Sequence, residues 1–143
     1  MDWYWWREAI QVPTVVDFAR QAGLTASTVT WPVMCASGAE YNIGEIWAPR
    51  EEDDPTPWFT RANSPAVAKI FEANKHMLRW MKTPQMDEFA AKCAADIIRA
   101  HRPDLMLLHL SYVDHQRHRL GVHGDLEHAF RFIDGQMGLV LDA

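Results

Sequence analysis

The chain has 143 residues, 48% of them hydrophobic and 23% charged, with 14 basic and 19 acidic side chains and a net charge of −5. That is enough apolar material for one core and little room for a second; it leaves no basic footprint for nucleic acid, and no apolar run approaches the roughly 18 residues of a membrane span. Cys35 and Cys93 lie far apart without CxxC spacing, so neither a disulfide framework nor a thiolate metal site is expected.

The chain starts Met1-Asp2-Trp3-Tyr4-Trp5-Trp6-Arg7, with no basic n-region or cleavage site, which leans slightly toward a cytoplasmic location. Three of the seven tryptophans fall in these first six residues, an odd composition for a terminus, where polar and mobile residues are usual. Pro13 to Ala22 reads as a helix. Thr14 and Asp17 have capping spacing, Val15, Phe18 and Ala22 share a face, and Gly23 is a natural stop. Leu24 to Trp31 is rich in Thr and Val and suits a strand ended by Pro32.

From Val33 to Pro65 the chain carries Gly38, Gly44, Pro49, Pro55, Pro57 and the acidic run Glu51 to Asp54, and reads mainly as a loop-like connection. Helices are expected from Pro65 to about Met81 and from Met86 to about His101, the second with Phe89, Cys93, Ile97 and Ala100 in one stripe and closed by Arg102-Pro103. Asp104 to Tyr112 is nearly continuous apolar sequence, as expected of a strand covered on both faces. After a polar segment, Asp125 to about Leu141 returns to helical spacing through Leu126, Phe130, Ile133 and Met137. The order is that of an α/β protein with a parallel sheet flanked by helices, in which ligands collect beyond the carboxyl ends of the strands.

Six of the seven histidines (His101, His109, His115, His118, His123 and His128) crowd into residues 101–128, and clustering of that kind points to a site. Directly after the apolar strand come Asp114 and, four residues later, His118. Whether the backbone there is a helical turn or a compact loop, both can reach one point, and a carboxylate oxygen with an imidazole nitrogen are two of the ligand types that hold zinc. A D-x-x-x-H spacing alone is more often plain surface. His109, inside the apolar run, reads as a core histidine satisfied by a backbone group; His115 and His123 read as exposed, and His101 and His128 as solvated or capping residues. Gly121 and Gly124 suggest a tight turn. No G-x-S-x-G elbow, phosphate-cradling glycine loop or G-x-G-x-x-G appears, and no thiol nucleophile is supported. Exposed Trp near a crevice could stack on a planar substrate group.

Two blocks resemble the type I phosphodiesterase/nucleotide pyrophosphatase family of the alkaline phosphatase superfamily. One runs from Pro103-Asp104-Leu105 to Tyr112, then Asp114-x-x-x-His118-x-x-Gly121, then a helix with Phe132-Ile133-Asp134. The other comprises Val12-Pro13-Thr14, Gly23, Thr30-Trp31-Pro32-Val33, Tyr41-Asn42-Ile43 and Glu45-Ile46. Arg117 stands where the family has a glycine and Val122 where it has a proline, so that loop departs from the family's pattern at two positions.

The resemblance implies a two-metal phosphoester hydrolase, with zinc the expected ion, a Thr or Ser nucleophile, and a phosphodiester or nucleotide-like small-molecule substrate. Asp114 and His118 match two ligands of the metal that activates water; no other ligand and no catalytic residue carries over, because none of Thr14, Thr25, Thr28, Thr30, Thr56, Thr60 or Thr83 has a nucleophile-like context. Residues 1–143 are therefore expected to be the central portion of an incomplete alkaline-phosphatase-like domain, inactive alone. Its uncovered strand edges would favour self-association, and it would have neither nucleic acid nor membrane as a partner. The alternatives are a catalytically silent structural unit, or a phosphonate hydrolase, phosphomutase or sulfatase relative.

Overall fold

A computed structural model describes residues 3–46, 54–78 and 82–143. The first helix, α1 (Val15–Gln21), starts at Thr14, whose hydroxyl accepts from the Asp17 backbone N–H while the Asp17 carboxylate accepts from the Thr14 N–H. Arg7 holds the same carboxylate at 2.7 Å, and these donors keep Asp17 well below the ordinary carboxylate range. Strand β1 (Ala26–Val29) follows, then β2 (Tyr41–Ile43), α2 (Thr56–Ala62), α3 (Ala68–Asn74), α4 (Gln85–His101), β3 (Leu105–Leu108), α5 (Tyr112–Leu120) and α6 (Glu127–Leu141).

The three strands form a parallel sheet in the order β2-β1-β3, with Val29 opposite Ile43 on one side and Leu108 on the other. Alternation along β1 divides the packing. Val29 joins a core built with Ile43, Phe59, Phe71, Phe89, Cys93 and Ile97, whereas Ala26 joins a small cluster with Val16, Ala39 and Leu107. Within the larger core the rings of Phe59, Phe71 and Phe89 lie 5.5–6.2 Å apart, in stacked and edge-on arrangements that favour their quadrupoles.

The stretch from Val33 to Pro65 contains two elements its loop-like composition conceals, β2 and α2. Trp47 and most of the acidic run, Glu51 to Asp53, lie outside the described residues, as do the expected helical positions 79–81. Before them, Pro65 to Met77 divides into α3 between two single 3₁₀ turns. The segment after β3 that reads as polar is helix α5. Arg102, before Pro103, does leave helical geometry, taking a left-handed φ of 48° that ends α4.

Three apolar faces sit differently from their spacing. On α1 the buried residues are Val16, which packs in the small cluster with Ala26, Ala39 and Leu107, and Ala19, while Val15 and Phe18 are more than half exposed. On α4 the buried stripe ends at Ile97, and Ala100 lies in the exposed last turn. On α6 Leu126 and Ala129 are buried and Val140 packs on the main core, leaving Phe130 56% and Leu141 79% exposed.

The strand covered on both faces is β1, although its sequence is only Ala-Ser-Thr-Val; all four residues of the apolar β3 are partly exposed. Position in the sheet explains the exchange. β1 is central, and its hydroxyls find partners, Ser27 donating to the Tyr41 carbonyl at 2.8 Å and Thr28 to the Asn42 side-chain oxygen at 2.5 Å. Among the described residues β3 pairs only with β1, which leaves its other edge without a strand partner there.

Candidate functional site

The carboxyl ends of all three strands open on one cavity of about 660 Å³. Thr30 follows β1, Glu45 lies two residues past β2, and His109 immediately follows β3; all three line it. This is the crevice where open parallel sheets bind ligands. Its rim is strained. Thr30 and Val33, both β-branched, have φ of 48° and 57°, a region such side chains rarely enter and one that concentrates at functional sites. Thr30 is held there by its N–H to the Ile43 carbonyl and its hydroxyl to the His109 carbonyl, which ties all three strand ends together.

The N-terminal aromatics form another wall. Cys35 donates its N–H to the Trp5 carbonyl and Arg7 donates to the Cys35 carbonyl, both at 3.0 Å, which pins Trp3, Tyr4 and Trp5 against the cavity. The Trp3 and Trp5 rings stack at 5.7 Å. The Cys35 thiol is buried and pushed up to about 12 by desolvation, and Cys93 is buried in the core, so neither is a nucleophile.

Asp114 and His118 sit on α5 and share one face of the helix, with His118 Nε2 3.5 Å from Asp114 Oδ1. Their side chains are 73% and 82% exposed, and both border the cavity. Two ligands about 2.0–2.1 Å from a tetrahedral zinc are about 3.4 Å apart, close to the separation of these two atoms. Among the described residues no group of three His, Cys, Asp or Glu side chains could close around a metal, so the chain offers a pair and not a complete set. The turn after α5 relies on Gly121, with φ +73°, and on Gly124, where a Cβ would come within 2.4 Å of the Leu120 Cβ. Arg117 donates to the carbonyls of Gly121 at 3.1 Å and Val122 at 2.6 Å, so the residue that departs from the family's glycine now ties the turn to the helix.

The remaining histidines separate. His115 is exposed at the cavity and His123 is exposed outside it; His101 stacks on Tyr41 and His128 meets the Tyr112 ring edge-on. His109 is not a core residue. Its ring is 34% exposed in the cavity, with Nδ1 3.9 Å from Glu45 Oε1. Burial pushes the Glu45 carboxyl above its ordinary value, opposed by the charge of His109.

Asp87, on the first turn of α4, is 2% exposed and accepts from the Ser111 N–H and hydroxyl at 3.0 and 3.2 Å and from the Tyr112 N–H at 2.8 Å. The N-cap residue Ser111 makes no capping bond of its own, so the N-terminus of α5 is capped by a carboxylate from α4. Desolvation raises the Asp87 carboxyl above its ordinary value, against these hydrogen bonds, which lower it. Asp87 is not marked in the sequence, and Glu45 stands there only as part of the second family-like block, without a role of its own. An Asp in a first helical turn reads as serving its own helix, and Glu45 gains meaning only once β2 is known.

A family model described as type I phosphodiesterase / nucleotide pyrophosphatase matches residues 1–143. No curated protein and no solved structure matches the chain.

Proposed function

Because the chain belongs to the type I phosphodiesterase/nucleotide pyrophosphatase family, a family of hydrolases, we propose that it supplies Asp114 and His118 as two ligands of one metal site in a metal-dependent phosphoester hydrolase. The observation that carries this reading is the 3.5 Å carboxylate–imidazole pair at the cavity beyond the strand ends. Zinc, bound with ligands from outside this pair, would supply a Lewis acid for phosphate oxygens and a water nucleophile at neutral pH. The chain's own residues present the two ligands on a helix fixed by Asp87 and shape the space for a phosphodiester or nucleotide-like substrate, whose planar parts suit the Trp3 and Trp5 rings. With two ligands and no positioned nucleophile, the 143 residues alone are inactive on this reading.

No Lys or Arg among the described residues lines the cavity, so a phosphate there needs a metal to balance its charge. Inorganic phosphate titrated into the protein is expected to bind with zinc present and not in its absence, and Asp114→Ala is expected to remove the zinc-dependent part. Equal phosphate binding with and without zinc would contradict the proposal.

A second reading, association through uncovered surface, is favoured by the open β3 edge together with Phe130, Met137 and Leu141 exposed on α6. Sedimentation is expected to show a mass above the monomer that rises with concentration. A concentration-independent monomer would overturn it.

A further inference from the structure

We propose that Glu45 forms a recognition point for an amino group carried by the non-phosphate part of the substrate. The proposal rests on reading the cavity as the substrate site. At 3.9 Å the Glu45–His109 contact is too long for a hydrogen bond, and among the described residues no donor reaches the Glu45 carboxylate, although that side chain is only 16% exposed. A desolvated acceptor without a donor is costly unless something supplies one.

The charged side chains around the space are Glu45, Asp87 and Asp114 with histidines, and no Lys or Arg among the described residues. A second anionic group is therefore disfavoured and a cation favoured. A primary ammonium has three N–H donors and no acceptor, which suits a carboxylate without a donor of its own. The stacked Trp3 and Trp5 rings on the same cavity add a face on which the cation, or the carbon chain beside it, can rest. The substrate class is thus a phosphoester whose alcohol portion carries an amine, with phosphate toward Asp114 and His118 and the amine toward Glu45.

The test uses the whole chain without metal and two probes of one shape, 2-phenylethylammonium and 2-phenylethanol, followed by tryptophan fluorescence. The ammonium is expected to bind about tenfold more tightly than the alcohol, the scale of one charge-assisted hydrogen bond. Glu45→Gln is expected to remove that preference without weakening the alcohol. His109→Gln, which deletes the residue sharing Glu45, is expected to leave ammonium binding equal or tighter. Equal affinity for the two probes, a Glu45→Gln variant that keeps the preference, or a His109→Gln variant that loses it would each overturn the proposal. Neither metal nor phosphate takes part, so failure here is separate from failure of zinc-dependent phosphate binding.

Discussion

Asp87→Ala is expected to destabilise the protein by about 3 kcal/mol, since hydrogen bonds to a charged acceptor contribute about 1.5–3 kcal/mol each and their loss strands buried donors. The carboxylate accepts from two backbone N–H groups and one hydroxyl at the start of α5, and among the described residues no other side chain caps that end. The loss also reaches the site. Asp114 lies two residues after Tyr112, so amide exchange at Tyr112 and Val113 is expected to quicken more than exchange in β1. Unchanged protection at those amides would show that α5 is held by other means.

Asp87→Asn tests the charge separately. The folded-state pKa of Asp87 lies above the ordinary 3.8, so the native protein holds this proton more tightly than the unfolded chain does. Its contribution to stability is therefore greatest below 3.8 and declines as pH rises through the folded value. Relative to wild type, the asparagine variant is expected to gain stability over that upward window. A parallel pH dependence of the two proteins would contradict the raised value.

Phe59→Ala is expected to cost about 3–5 kcal/mol in denaturant unfolding. Its ring is fully buried and contacts Phe71 and Phe89 in adjoining helices, so truncation opens a cavity that three separate elements line and none can fill alone. Phe59→Leu, which retains most of the volume, is expected to cost less than half as much. A cost below about 1 kcal/mol for the alanine variant would mean that α2 is not part of the cooperative core.

Fold class and the place of the cavity beyond the strand ends were legible in the sequence, for reasons particular residues show. Thr14 and Asp17 gave a capping box that depends on only four residues, and the apolar run 105–108 followed by Asp114 located both a strand and the crevice at its end. What could not be read depends on three-dimensional order. The central strand is the one rich in Ser and Thr, because its hydroxyls are satisfied by β2 and by neighbours only the fold assembles. The apolar faces of α1 and α6 misled because spacing reports a stripe without saying whether a neighbour covers it. Thr83 and Asp87 entered the cavity from segments with no motif, Glu45 from a family-like block that gave it no role, and His109 changed from core to cavity because β3 lies at an edge.

Asp114 and His118 are the proposed metal ligands. Calorimetric titration of zinc into the chain addresses this directly, comparing wild type with Asp114→Ala/His118→Ala and with His123→Ala, whose side chain is exposed outside the cavity. The prediction is weak binding of one zinc per chain that disappears in the double variant and persists in His123→Ala, with far-ultraviolet circular dichroism unchanged throughout. Zinc affinity that survives the double substitution would contradict it.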